Sequence, residues 1–191
     1  MIISNNKINH ALKDLEKGKM IIYETDTLYG LGADATNTDA INKINELKKR
    51  KTPLSVMLKS INDIEKYAKI NVHIFKTIQN ILPGPFTILL DSKESEISKA
   101  VQQDSIKIGI RVPNNNFCLS LLNKFNKPII TTSVNTHGQK ALNNIDEIEN
   151  IFTNINIYDG CVNQKSKGST ILDFTNKEVK IIRQGDGIYN I

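Results

Sequence analysis

Tryptophan is missing from the 191 residues, and only two cysteines, three histidines and three arginines occur. Cys118 and Cys161 are far apart and form no C-x-x-C, which excludes a disulfide framework or a zinc knuckle as the organising device. His10, His73 and His137 are scattered and no H-E-x-x-H occurs, so no metal site built by the protein is expected. No apolar run approaches the roughly 18 residues of a membrane span. Met1–Asn6 carries neither the basic flank nor the apolar stretch of a secretory signal. The expected compartment is the cytoplasm, without membrane contact. No repeat of roughly 20–50 residues and no low-complexity linker divides the chain, so a single domain over residues 1–191 is expected.

Against 20 acidic residues stand 25 basic ones, giving a net charge of +5. This balance suits an anionic ligand or RNA, and it is also what an ordinary soluble surface carries. The kind of base is more informative. Twenty-two of the 25 are Lys. In a chain drifting toward Lys, Ile and Asn, Arg survives where Lys cannot replace it, as in a bidentate grip on carboxylate or phosphate. Arg50, Arg111 and Arg183 are therefore candidate site residues.

Apolar spacing predicts alternating elements. Helices are expected at 7–17 (stopped by Gly18), 38–48, 61–68, 72–82, 116–125 and 145–152. Strands are expected at 19–27, 54–58, 86–90, 106–112, 129–134, 155–157, 170–174 and 179–183, with a hairpin across 175–177. Pro83-Gly84-Pro85 is a hard break. Helices among strands with a terminal hairpin predict an α/β fold with a twisted, mixed parallel and antiparallel sheet.

Five segments carry candidate chemistry. In Glu24-Thr25-Asp26-Thr27, alternation puts Thr25 and Thr27 on one face and the two acids on the other. Gly30-x-Gly32 follows and reads as a sharp turn, since the third glycine of a dinucleotide fingerprint is missing. Lys48-Lys49-Arg50-Lys51 ends a helix. It is either a solvated cap or, if the chain is extended by Lys49, a place where Lys48 and Arg50 converge on a polyphosphate. Arg111 lies in an apolar strand and needs a partner, either a protein carboxylate or a ligand carboxylate. Thr131, Ser133 and Asn135 share a face at a strand end, and His137 reads as a turn residue. Ser169-Thr170 and Arg183-Gln184-Gly185 say little alone.

Together these segments resemble the YrdC-like family of threonylcarbamoyl-adenylate synthases. The family pattern runs P-T-E-T-x-Y-G-L, K-x-R with P-L, P-G-P-x-T, R-V-P, T-S-A-N, S-T and R-x-G. The chain shows in order Glu24–Leu31, Lys48-x-Arg50 with Pro53-Leu54, Pro83–Thr87, Arg111–Pro113, Thr132–Asn135, Ser169-Thr170 and Arg183–Gly185. Glu24 stands where the family has Pro, Val134 where it has Ala, and His137 where it often has Ser. The loop after Arg50 is short, with Lys51 or Thr52 where His or Asn is common.

The resemblance implies a sheet enclosing a deep basic cavity and a reaction: L-threonine, bicarbonate and ATP give threonylcarbamoyl-AMP and pyrophosphate, the first step of tRNA threonylcarbamoyladenosine formation. It implies catalytic roles for Lys48 and Arg50. ATP would be held by Lys48, Arg50, Thr131, Ser133, Asn135 and Arg183, and threonine or its carbamate by Thr25, Arg111 and Ser169. Mg²⁺ would arrive with ATP, on phosphates and water rather than on protein ligands. Weak tRNA binding and a downstream threonylcarbamoyl transferase partner are further implications. The alternative is a non-catalytic RNA-binding module of the same fold; no aromatic stacking cluster favours it.

Overall fold

The computed structural model describes residues 1–136 and 138–190; the turn expected at His137 lies outside them. Ten strands form one sheet: β1 (Ile2–Ser4), β2 (Ile21–Tyr23), β3 (Gly30–Gly32), β4 (Ser55–Met57), β5 (Phe86–Asp91), β6 (Lys107–Arg111), β7 (Ile129–Ser133), β8 (Asn156–Asp159), β9 (Thr170–Asp173) and β10 (Lys180–Arg183). Seven helices join them: α1 (Ile8–Glu16), α2 (Thr38–Leu47), α3 (Ile64–Tyr67), α4 (Val72–Gln79), α5 (Lys99–Gln102), α6 (Asn116–Phe125) and α7 (Ile145–Ile151). The strand order is β1-β8-β2-β3-β7-β4-β6-β5-β9-β10. Four pairings are parallel and five antiparallel, so the sheet is mixed, as the alternation predicts.

Asparagine, abundant in this chain, starts the helices. Asn37, Asn71, Asn115 and Asn144 each accept a hydrogen bond from a first-turn N–H and so satisfy a donor the helix itself cannot. Gly18 stops α1 in the left-handed region (φ 68°), with its N–H on Leu15 O and the Lys19 N–H on Asp14 O. The inner strands are buried on both faces, while the edge strands β1 and β10 are largely exposed. In β2, Ile21 and Tyr23 pack with α1 and α6 against Leu15, Phe117 and Leu121, while Ile22 joins the larger core of Ile41, Ile44, Val56 and Ile110 on the other side.

The expectation over 19–27 needs correcting. Only Ile21–Tyr23 is strand; residues 24–29 bend, and Gly30–Gly32 is itself a strand, antiparallel to β2, rather than a sharp turn. The glycines serve close approach. A Cβ on Gly32 would stand 2.5 Å from Ile130 O and 2.7 Å from the Tyr23 ring. β1 and α5 were not anticipated; both are short, three and four residues. Ile61–Ala68 splits into a 3₁₀ turn (Ile61–Asp63) and α3. On α2, Ala40, Ile41 and Ile44 are buried, while Leu47 in the last turn is 38% exposed.

Candidate active site

Seven strands that are consecutive in the sheet, from β3 through β10, each place at least one residue on the wall of a single cavity of about 120 Å³. Laid flat at roughly 4.8 Å per strand, β3 and β10 would be about 29 Å apart. They share a small cavity because the sheet curls round it. The contributors are Gly30 (β3), Thr131 to Ser133 (β7), Ser55 (β4), Arg111 (β6), Thr87 (β5), Ile171 (β9) and Arg183 (β10), with Thr25, Thr27, Arg50 and Ser169 from loops.

All three arginines of the chain line this one cavity, and among the described residues no carboxylate does. Each is held by its own partners. Arg50 donates from Nε to Thr52 O (3.0 Å), from Nη2 to Pro53 O (2.7 Å) and from Nη1 to Thr132 Oγ1 (3.3 Å). Arg183 donates from Nη2 to Ser169 O (2.7 Å) and Ser169 Oγ (3.2 Å). Arg111 donates from Nη2 to Asp26 Oδ1 at 2.7 Å and to Thr27 Oγ1 at 3.3 Å. Both readings of Arg111 therefore meet: it is paired with a protein carboxylate and it faces the cavity. Burial first, then the neighbouring arginine, lowers the pKa of Arg50 (beside Arg183) and of Arg183 (beside Arg111). Arg111 has its acid in Asp26, but the partners of Arg50 and Arg183 are carbonyls and hydroxyls, and two cations so held are a standing demand for an anion.

Hydroxyls complete the wall. Thr87 and Ser169 share a hydrogen bond of 2.8 Å, and Ser55, Thr131 and Thr132 stand nearby. The Thr25 hydroxyl is spent on its own loop: it donates to Leu28 O (2.6 Å) and accepts from the Thr27 N–H (3.1 Å). Thr25 thus shapes the bend between β2 and β3 as well as lining the cavity.

Of the candidate site residues, Arg50, Arg111, Arg183, Thr25, Thr131, Ser133 and Ser169 line the cavity; Lys48 and Asn135 do not. The chain is not extended at Lys49, which adopts the left-handed conformation (φ 49°). Its N–H bonds Glu46 O and that of Arg50 bonds Asn45 O, a helix-ending turn that separates Lys48 from Arg50. Lys48, 1% exposed, is buried off the wall. Its ammonium donates to Ser133 O, to Asn135 O (2.9 Å) and to Asn135 Oδ1 (2.6 Å). Three donors meet three acceptors, so the ammonium is saturated. Burial, and secondarily Arg50, pushes its pKa down to about 8. The strand ends at Ser133, so Asn135 turns out of the alternating face; its Oδ1 accepts from Ser133 Oγ at 2.8 Å.

Sequence reasoning gave no role to Ser55, Thr87 or Thr132. Ser55 and Thr87 are polar residues in apolar strands, the signal that singled out Arg111, and it applies equally to them. Among the described residues no group of three or more His, Cys, Asp or Glu is arranged to hold a metal, and no helix is long and apolar enough to cross a membrane.

Fold and site define a class: a mixed α/β domain whose curled sheet gathers arginines and hydroxyls round one cavity. The model of the Sua5/YciO/YrdC family, described as telomere recombination, matches residues 13–185, and the chain belongs to that family. A Methanocaldococcus jannaschii protein, provisionally named threonylcarbamoyl-AMP synthase, is 36% identical over 91% of this chain and 83% of its own length. The mouse threonylcarbamoyl-AMP synthase is 29% identical over 94% of this chain and 67% of its own. Among solved structures, Sua5 of P. abyssi complexed with L-threonine superposes with a TM-score of 0.88 at 25% identity, over 97% of this chain and 57% of that one. The chain thus spans little more than half of that Sua5. Escherichia coli YciO shares the fold at a TM-score of 0.87 and 24% identity, over 98% of this chain and 95% of its own.

Proposed function

We propose that this protein is a threonylcarbamoyl-AMP synthase, a nucleotidyltransferase joining L-threonine, bicarbonate and ATP. One observation carries the reading: the chain's three arginines converge on a cavity lined by hydroxyls and, among the described residues, by no carboxylate. The relatives that bear this name, and the Sua5 structure with L-threonine, support it.

The reaction runs in two steps. The amine nitrogen of threonine attacks the carbon of bicarbonate; water leaves and a carbamate forms. A carbamate oxygen then attacks the α-phosphorus of ATP, the bond to the bridging oxygen breaks, and pyrophosphate departs. Each step gathers negative charge, so the protein's task is positioning and electrostatic stabilisation rather than nucleophilic attack. Arg111 takes the threonine carboxylate. Arg50 and Arg183 take phosphate and the carbamate, where charge builds. Thr131 and Ser133 bond the adenylate. Ser169, held between Arg183 and Thr87, stands where the two substrates meet. Lys48 and Asn135 act from off the wall, fixing the backbone that carries Ser133.

A volume of about 120 Å³ fits an amino acid but not a whole nucleotide, so the nucleoside extends beyond the enclosed space. Among the described residues no carboxylate on the wall offers Mg²⁺ a seat; the ion enters on the phosphates of its ATP complex. The product is a free adenylate for a downstream transferase acting on tRNA. Any tRNA binding by the chain itself is weak and salt-sensitive, and the work is cytoplasmic.

The test is pyrophosphate release in RNA-free buffer with threonine, bicarbonate, ATP and Mg²⁺. Release is expected with all four and lost without threonine or without bicarbonate. No release, together with tight salt-resistant binding to one structured RNA, would make the protein a binding module instead.

A further inference from the structure

Arg111 has a feature that its contacts do not explain. It is 7% exposed, yet its Nε is buried without any hydrogen-bond partner. A guanidinium has five N–H donors, and the contacts seen here are made from Nη2 alone. A buried, charged donor left unpaired is costly and rare. Nε is enclosed and out of a ligand's reach; Nη1 is not enclosed, bonds no described residue, and belongs to a side chain that lines the cavity, so it is the donor left for a ligand.

What holds Arg111 in that posture is Asp26. The two side chains are 8% and 7% exposed, and Oδ1 of Asp26 accepts from Nη2 at 2.7 Å. The second oxygen is also fixed, accepting the Asn114 N–H at 3.1 Å, so the carboxylate cannot swing away. Asp26 itself is not on the cavity wall. Its pairing makes Arg111 and Asp26 neutral as a unit. The positive field comes from Arg50 and Arg183, while Arg111 contributes direction.

We infer that Asp26 is a positioning residue for the amino-acid substrate: it grips the Arg111 guanidinium at Nη2 and leaves Nη1 for the substrate's carboxylate. The inference rests on the proposed function, and goes beyond it by naming a residue that sets amino-acid affinity without touching the substrate.

The sign of one substitution separates aim from charge. If charge governed, Asp26→Asn would unmask a cation and tighten threonine binding. If aim governs, the same change frees the guanidinium to turn and weakens it. In steady-state pyrophosphate release by the full chain, Asp26→Asn is expected to raise KM for L-threonine at least tenfold, about 1.4 kcal/mol, while KM for ATP stays within twofold. L-Threoninamide, which lacks the carboxylate, should bind wild type and variant equally in calorimetry. In an Arg111→Lys background, Asp26→Asn should add less than twofold, because its effect passes through Arg111. Unchanged or tighter threonine binding overturns the inference, as does an equal loss for ATP or for L-threoninamide. Should Asp26→Asn not fold, Asp26→Glu carries the test: it keeps the charge, shifts the acceptor by one methylene, and is expected to raise KM for threonine several-fold. A wild-type value then refutes the role. A wild-type protein that binds no L-threonine overturns the proposed function and this inference together; an active wild type with an unmoved Asp26→Asn overturns this inference alone.

Discussion

Exchanging Lys48 for Met removes an ammonium that three oxygens surround, at a site 1% exposed. Asn135 Oδ1 keeps a donor in Ser133 Oγ, but the carbonyls of Ser133 and Asn135 lose theirs to an apolar methyl. At pH 7 the variant should lose about 1–3 kcal/mol, the cost of stranding buried acceptors less the relief of no longer burying a charge. The pH dependence is the sharper measurement. Burial lowers Lys48 from 10.5 to about 8 in the folded protein. Between those values the unfolded chain binds the extra proton, so wild-type stability rises with pH across that window. The drop of about 2.5 units, at 1.36 kcal/mol each, makes the full term about 3 kcal/mol. Met has no such term. Thermal melts at pH 7 and 9.5 should show the gap between wild type and Lys48→Met widening by about 2 kcal/mol, roughly 4–8 °C in Tm for a chain of this size. Tyr23, Tyr29, Tyr67 and Tyr158 are pushed well above their ordinary pKa by burial and cost stability only above pH 10, in both proteins alike. A gap that stays flat or narrows between pH 7 and 9.5 would refute the assignment of Lys48 as a buried, saturated cation.

Arg111→Lys should weaken L-threonine binding nearly as much as Arg111→Ala, because an ammonium cannot serve Asp26 and a second carboxylate with one plane of donors; calorimetric titration with threonine checks it, and normal binding by the Lys variant would refute Arg111 as the carboxylate fork. Gly32→Ala puts a methyl 2.5 Å from the Ile130 carbonyl, where backbone must move. A loss of several kcal/mol, on the scale of severe overpacking, should appear in denaturant unfolding, whereas a wild-type midpoint would show that β3 and β7 have room between them.

The alternation of helices and strands is legible because apolar period and breakers mark it, and Asn37, Asn71, Asn115 and Asn144 stand where caps are needed. The arginines are legible for another reason: in a chain with 22 lysines, three positions kept the planar fork, and all three face one cavity. What local pattern cannot carry is contact across the sheet. Gly30-x-Gly32 reads as a turn because glycine's role in close approach to Ile130 depends on a strand about a hundred positions away. Lys48 reads as the partner of Arg50 because nothing in K-K-R-K tells that Lys49 turns left-handed, and only Arg50 of the two reaches the cavity wall. Ser55 and Thr87 escape because a lone hydroxyl in an apolar strand gains meaning only when six other strands bring theirs beside it.

Seven consecutive strands share one small hollow, and they draw on residues 25 to 183. No fragment of the fold owns the site. Until β10 has docked on β9, Arg183 is elsewhere, and with it the cation beside Ser169. A substrate lodged there touches both limbs of the curled sheet and works as a clasp between them. Occupancy should therefore be felt far from the ligand: amide protons along β3, β7 and β9 would slow their exchange together, as one cooperative unit rather than as a quietened loop.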